Sequence, residues 1–562
     1  MADPEPADNR AAANLSQEGT PAPDTLTGTP GTDLIRGFGG NDLIDGRGGA
    51  DLRLDGGDGN DTILGAWGDD VLTGGLGDDR LEGGRDDDWL TDITGGQDIL
   101  LGQQGNDTIL SHGGGDTLDG GRGDDLIWNT GTGADTLEGG PGADTIIPGG
   151  FDDVIHGGTG IDRVSYAGFL VPILTSEIRD LTRRGFEEVE GSDAFGDVLS
   201  GGRHNPITFF GLGGDDTLSG FRARVVLHGG DGNDSLAGGR RSDELYGGAD
   251  QDWLSGLHGF DFLAGGSGDD TLFGGSANDT VVGGGGADQV NGNGGDDILR
   301  GGGGDDTLNG GHGNGHDRLF GDDGNDLMLG FDGDDIFLGG DGADTMWGGN
   351  GIDRVSYADR QERVLVDLGK DEVIAPYAGF FDAGVVEGDR YASIEEAVGG
   401  QAGDRLNGSA EANLLAGRDG PDRLLGRAGD DTLMGGRGDD ILAGNAGADI
   451  MQGGTGDFVD QFVFFRNTDT GVGLGNRDII LDFQTGIDLI VIAGVDADTI
   501  LAGDQSFAFV SAAAFTGTAG ELRYELTGAN TVLQADRDGD GVSDWEVQLR
   551  GTINLQVDDF LL

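Results

Sequence analysis

The chain has 562 residues, of which 120 are glycine, about three times the usual share, and 104 acids against 33 bases give a formal net charge of −71. That charge excludes nucleic acid and anionic membrane surfaces as natural partners, and so much glycine excludes an ordinary globular core. No apolar run approaches 18 residues, so no membrane span is expected, and the absence of cysteine removes disulfides and cysteine–zinc sites without deciding the compartment.

Residues 1–23, rich in Pro, Ala and Asp, read as a disordered tail. The opening MADPEPADNRAAANLSQEGTPAP has neither a basic nor an apolar segment, so it is not read as a cleaved signal peptide. From Gly28 a nonapeptide begins: GTPGTDLIR, GFGGNDLID, GRGGADLRLD, GGDGNDTIL, GAWGDDVLT, GGLGDDRLE. Its slots are two Gly-rich positions, x, Gly, x, Asp, x, an apolar residue, x. There are about forty units, some degenerate, in three arrays at 24–165, 191–356 and 399–457. Such a period is the mark of a stacked repeat architecture.

The residue types dictate the coil. The Gly-rich half turns tightly. The x-apolar-x half predicts a strand of about three residues with one side chain facing inward, as at Ile63, Leu72, Leu81, Leu90, Ile109, Leu118 and Ile127. One apolar residue in nine closes no globule, but stacked coils share a thin apolar column. A solvated acidic linker needs no such regular eighth position. Stacking also sets equivalent aspartates about 4.8 Å apart, where two charges repel by roughly 3–4 kcal/mol at an effective dielectric near 20. Asp carboxylates and Gly carbonyls without His or Cys suit a hard cation, and flexible oxygen loops suit Ca²⁺ better than Mg²⁺. On the order of one ion per turn, about 35 in all, would nearly cancel the net charge of −71.

The units resemble the GGxGxDxUx repeat of RTX (repeats-in-toxin) proteins over about 350 residues. The resemblance implies an all-β chain, a right-handed parallel β-roll with two nonapeptides per coil and calcium between successive Gly-Asp loops. It carries the calcium-ligand role to the sixth-slot aspartates. In the first array these are Asp33, Asp42, Asp51, Asp61, Asp70, Asp79, Asp88, Asp107, Asp116, Asp125, Asp135, Asp144, Asp153 and Asp162. In the second they are Asp216, Asp234, Asp243, Asp252, Asp261, Asp270, Asp279, Asp288, Asp297, Asp306, Asp326, Asp335, Asp344 and Asp353, and in the third Asp404, Asp422, Asp431, Asp440 and Asp449.

Three units lack the aspartate, GGRHNPITFF at 201–210, GFRARVVLH at 220–228 and GSAEANLLA at 408–416, where Asn413 takes the slot. Weak or no calcium is expected there, with Arg222 and Arg224 neutralising neighbouring acids. His312 and His316 stand four apart, but on a loop, which does not suit a transition metal.

Both long arrays end on GIDRVSYA, at 160–167 and 351–358. The non-repeat stretches that follow, 166–190 and 357–398, read as internal caps or spacers of a duplicated module. A ligand-binding insertion is the sharper alternative, supported by Tyr377, Phe380 and Phe381. From about 458 glycine falls and apolar residues rise. The DFQTGIDLI segment, the GELRY strand and the acidic loop before a closing strand resemble the C-terminal domain of serralysin-type metalloproteases over 458–562, which implies a β-domain capping the roll. In ADRDGDGVSDWE, Asp536, Asp538 and Asp540 before Gly541 mimic half of a calcium loop, and Asp544 offers another oxygen; Val547 at position 12 makes it no EF-hand. By the same resemblance the final VDDFLL belongs to an uncleaved signal read by a type I secretion apparatus of a Gram-negative bacterium.

No HExxH and no GxSxG occurs, the seven histidines are scattered, and acid pairs such as Asp69/Asp70 and Asp305/Asp306 lie in the turns. The expected function is therefore a secreted, non-catalytic calcium-binding protein. It folds outside the cell and serves as a structural, surface, matrix or adhesion element, through self-association or cell-surface glycan. The alternative is an enzyme on extracellular carbohydrate or protein with its site in the non-repeat segments.

Overall fold

A computed structural model describes residues 15–174, 184–201, 205–369, 389–454, 456–492, 494–499 and 505–562. Tyr377, Phe380 and Phe381 lie outside the described residues. The chain divides into two compact units, Met1–Gly266 and Ser267–Leu562. Each is all-β, built from parallel strands stacked as a solenoid, and no α-helix occurs among the described residues.

In the first unit the chain alternates between two stacks of strands. One runs through Thr25–Thr27, Leu43–Asp45, Thr62–Trp67, Arg80–Arg85, Ile99–Gln104, Thr117–Arg122, Thr136–Pro141 and Val154–Thr159. Its register sets the eighth-slot residues on one another: Ile63 on Leu81, Leu81 on Leu100, Leu100 on Leu118, Leu118 on Leu137. The facing stack aligns Leu54 on Leu72, Leu72 on Leu90, Leu90 on Ile109 and Ile109 on Ile127. All of these side chains are fully buried. The core is thus two apolar columns back to back, as the single apolar slot requires.

Many strands are six residues long rather than three, as in Thr62–Trp67 and Val71–Leu76. They run on through the first two glycine slots before the chain turns. The glycines serve two separate purposes. Slots two and four need positive φ, as at Gly75 (124°) and Gly77 (131°). Slot one has ordinary φ and is glycine for want of space. Where slot two carries a side chain, as at Phe38, Arg47, Ala66 and Gln103, the backbone still holds φ between 72° and 83°, at a cost of about 1–2 kcal/mol each.

The first strand is Ser16–Glu18, paired in parallel with Leu34–Gly39. The solenoid therefore starts inside the stretch that composition assigns to a tail, because the backbone of Leu15 and Ser16 finds partners on the next coil. One stack runs on past both non-repeat stretches, while the facing stack breaks at each: one sheet ends at Val154–Thr159 and the next begins at Val198–Ser200, and that one ends at Arg390–Ala392 while another begins at Leu365–Asp367. Asp162–Ser165 pairs with Phe186–Glu190, which pairs with Ile207–Gly213. In the second unit Arg354–Ser356 pairs with Glu396–Val398, which pairs with Leu414–Asp419. The first rejoins with a register shift between Asp162 and Arg163, and within the second Leu365–Asp367 pairs with Arg405–Asn407. The repeated DRVS supplies the anchor. Arg163 binds Glu188 and Glu190, and Arg354 binds Glu396.

The last hundred residues extend the second unit in the same way. Gln461–Val463, Leu489–Val491 and Phe560–Leu561 continue one parallel stack. Asp478–Ile480 continues the other and pairs with Trp545–Arg550, the last of three antiparallel strands that include Glu521–Thr527 and Asn530–Asp536. Fully buried Trp545 meets Phe464 edge-on at 5.1 Å. The expected capping domain is thus a change from parallel to antiparallel pairing on the end of the stack.

Candidate metal centre

The sixth-slot aspartate stands just before each strand, so alternate repeats place it on alternate edges of the solenoid. In the first unit one edge carries Asp42, Asp61, Asp79, Asp98, Asp116, Asp135 and Asp153. The other carries Asp33, Asp51, Asp70, Asp88, Asp107, Asp125, Asp144 and Asp162. Every predicted sixth-slot aspartate, from Asp33 to Asp449, is buried.

Each carboxylate does one thing with each oxygen. Oδ1 accepts the backbone N–H of the aspartate one coil back: Asp51 N–H to Asp70 at 2.7 Å, Asp70 to Asp88 at 2.9 Å, Asp107 to Asp125 at 2.7 Å. In the second unit Asp288 N–H binds Asp306 and Asp422 N–H binds Asp440, both at 2.8 Å. Oδ2 at Asp51, Asp70, Asp88, Asp107, Asp125 and Asp144 is buried without a hydrogen-bond partner, as it is at Asp306, Asp335, Asp422, Asp431 and Asp440. A native fold rarely leaves one such oxygen bare, and here they recur turn after turn.

The bare oxygens share their space with carbonyls. The point that a Cβ on Gly65 would occupy lies 2.6 Å from Asp70 Oδ2 and 2.6 Å from the Gly83 carbonyl oxygen. At Gly139 the same point is 2.5 Å from both Asp144 Oδ2 and the Gly157 oxygen. The first-slot glycine therefore keeps open a cradle walled by a carboxylate oxygen and a carbonyl oxygen of the next coil. That donor set, all oxygen and negatively charged, fits calcium.

Without a cation the carboxylates resist ionising. Burial, with neighbouring ladder acids adding to it, pushes Asp70 up from about 3.8 to about 7, and Asp88 and Asp422 to about 8. Asp478 rises to about 9, from burial first and then the charge of Asp449.

Several predicted ligands already have their second oxygen filled. Asp33 Oδ2 accepts the Thr29 N–H and Asp404 Oδ2 the Gly400 N–H, each at 2.6 Å. Asp153 Oδ2 takes the N–H groups of Gly149 and Gly150 at 3.0 and 3.1 Å. At Asp116 and Asp135 the cradle itself is plugged, because slot one holds Ser111 and Asn129 instead of glycine. The Ser111 hydroxyl donates to Asp116 Oδ2, and Asn129 Nδ2 donates to Asp135 Oδ2 at 2.5 Å. These two turns are expected to take up no cation in the calcium-folded chain. Ser111→Gly with Asn129→Gly is expected to raise the calcium bound per chain by about two ions, read by equilibrium dialysis. An unchanged ion count in the double variant would contradict the plug.

Sequence reasoning missed further ladder members. Asp98, Asp317, Asp389, Asp460, Asp478 and Asp488 are buried and accept the N–H of the ladder aspartate one coil back through Oδ1, and buried Asp197 accepts the Ile173 N–H and donates its own to Asp216. Inserted residues shift Asp98, Asp197, Asp317 and Asp460 off the nonapeptide, and the others lack the preceding GGxG run. Their usable signal was Asp-x-apolar: Asp389 before Tyr391, Asp460 before Phe462, Asp478 before Ile480 and Asp488 before Ile490, all four apolar residues buried. Glu187 and Glu395 take the ladder position after Asp162 and Asp353, accepting their N–H groups at 3.1 and 2.9 Å.

One degenerate unit keeps the ladder by substitution, while in GFRARVVLH Val225 donates its N–H to Asp243 at 2.8 Å but has no side-chain acceptor for the coil before. Asn413 Oδ1 is held by the Ser409 N–H at 2.6 Å, and its own N–H reaches Asp431. Arg224 pairs with Glu244, a neighbouring acid as expected. His316 accepts the Asp334 N–H at 2.8 Å while His312 packs on Phe331, so the two histidines do not converge. In the 535–546 loop Asp536, Asp538 and Asp544 come together, not Asp540. Asp540 instead accepts the Val542 N–H, and both oxygens of Asp536 are taken by Gly539 and Gly541.

The model of the RTX calcium-binding nonapeptide repeat matches residues 18–52, 55–90, 92–127, 129–164 and 228–263, then overlapping segments from 259 to 355. The model of the peptidase M10 serralysin C terminal matches residues 344–562. It begins well before the change in composition at 458, because the last repeats belong to it. No curated protein matches the chain. Among solved structures, one subunit of the Azotobacter vinelandii mannuronan C5-epimerase is 28% identical, with 29% of this chain and 80% of that one covered at a TM-score of 0.16. A second subunit of that enzyme is 24% identical over 30% and 94%, at 0.17. The extracellular lipase LipA of Serratia marcescens is 16% identical over 53% and 40%, at 0.13.

Proposed function

From a chain of RTX calcium-binding nonapeptide repeats with a serralysin C-terminal region, we infer a secreted calcium-binding protein without catalytic function, working as a structural element of a cell surface or matrix. Calcium binds on the order of once per open turn, through Asp Oδ2 and first-slot glycine carbonyls. The observation that carries this is the row of buried, unpartnered Oδ2 atoms over glycine cradles. Because metal binding supplies folding free energy, a chain kept in scarce calcium stays unfolded and exportable, and one that meets abundant calcium folds. The type I secretion apparatus is the partner for export, and self-association or surface glycan the partner outside.

The test follows the protein on the producing cells. It is expected to be found outside the cell, to be released from the surface by a calcium chelator, and to rebind when calcium returns. Purified protein is expected to leave polysaccharide and protein substrates intact. Depolymerisation of a defined polysaccharide by the pure chain would overturn the non-catalytic reading.

A further inference from the structure

On one edge of the first unit the first slot changes character. It is glycine at Gly37, Gly56 and Gly74, then Asp92, Ser111 and Asn129. The opposite edge keeps glycine throughout, from Gly28 to Gly157. Ser111 and Asn129 bring hydrogen-bond donors to the cradle and close it. Asp92 brings a third carboxylate instead, where the repeat already has two.

Asp79, Asp92 and Asp98 are each at most 2% exposed, and one carboxylate oxygen of each lies within 4.8 Å of the others. Asp79 Oδ1 accepts the Asp61 N–H and Asp98 Oδ1 the Asp79 N–H, both at 2.7 Å. Their Oδ2 atoms are buried and unpartnered. Asp92 Oδ2 enters the Gly74 cradle, where the Cβ point of Gly74 is 2.7 Å from Asp79 Oδ2. It replaces the glycine carbonyl that walls an ordinary turn. Asp92 is held there by the Gly75 N–H at 3.2 Å and by the N–H and hydroxyl of Thr94 at 3.3 and 3.4 Å. Three buried acids, two with a bare oxygen and the third aimed between them, need a positive charge at their centre.

We propose that Asp79, Asp92 and Asp98 form a tricarboxylate site for a hard divalent cation, distinct from the carboxylate–carbonyl turns and binding more tightly than they do. The proposal rests on the reading that the ladders take calcium. One more carboxylate raises the ligand charge, which is how oxygen sites tune their affinity. The site sits at the border between open turns and the plugged turns of Ser111 and Asn129. It anchors the last cation on that edge.

The test is peptide-resolved hydrogen exchange of the full chain across a calcium titration from a chelated start. The segment from Asp92 to Asp98 is expected to gain protection at lower calcium than the segment around Asp125 on the other edge. Asp92→Asn is expected to move its midpoint up by about tenfold, leaving the Asp125 segment in place. Asp92→Gly, which restores an ordinary cradle, is expected to respond at the midpoint of ordinary turns, showing that the coil still folds. A midpoint unmoved in Asp92→Asn, or a 92–98 segment protected in chelator, overturns this site alone. No calcium response in any segment overturns the calcium reading of the ladders and this site with it.

Discussion

In chelator the chain is expected to be unfolded at about pH 8 and to gain β-structure as the pH falls toward about 4. The ladder aspartates carry this. Burial raises Asp88 and Asp422 to about 8 and Asp70 and Asp125 to about 7 in the fold, against about 3.8 when the chain is open. Between about pH 4 and 8 the fold therefore binds more protons than the unfolded chain, so folding takes up protons and stability falls as pH rises. The contribution is fully present below about pH 4 and is lost as pH passes through about 7–8. Protons then stand where calcium would, and with calcium present the same acid competes with the ion and raises the calcium needed for folding. Far-UV circular dichroism in chelator at several pH values reads this directly. A chelated chain that loses structure on acidification would reverse the sign and contradict it.

The second large effect comes from the apolar column. Leu100 is fully buried, with Leu81 before it and Leu118 after it. Leu100→Ala is expected to cost about 2–5 kcal/mol. Leu100→Asp would bury a further unpaired charge in a coil that has one inward apolar side chain and nothing to compensate it. Stacked repeats draw their stability from nearest neighbours, so the break should stay local. Even in saturating calcium, limited proteolysis of Leu100→Asp is expected to cut around this coil while leaving the Ser267–Leu562 unit intact. A variant as resistant as the parent would show that the column is dispensable.

Much of this was legible because the chemistry is periodic. A single inward residue every nine and an aspartate two before it fix which side chains stack, and every sixth-slot aspartate assigned from the repeat is buried in a ladder. The rest depended on distances no pattern states. The ten-residue unit that displaces Asp98, and the eleven-residue one that displaces Asp317, hide both from a strict nonapeptide. A second eleven-residue unit displaces Asp460 in the same way, and Asp478 and Asp488 keep only the Asp-x-apolar core, since their loops lack the repeat's GGxG run. First-slot glycine looks like a turn residue in sequence, yet its φ is ordinary and its function is to leave room. That is why the meaning of Asp92, Ser111 and Asn129 emerges only when the cradle is seen. The duplicated GIDRVSYA was readable as a pair. That its arginines tie the returning strands through Glu188 and Glu396 was not, because the partners lie 25 and 42 residues on.

The most direct test of the calcium-completed solenoid is far-UV circular dichroism of the purified chain at neutral pH during calcium titration from a chelated start, with magnesium as control. The account predicts a cooperative gain of β-structure with calcium and none with magnesium at the same concentrations. A full β-signal already present in chelator would contradict it, because the bare carboxylate oxygens would then be tolerated without an ion.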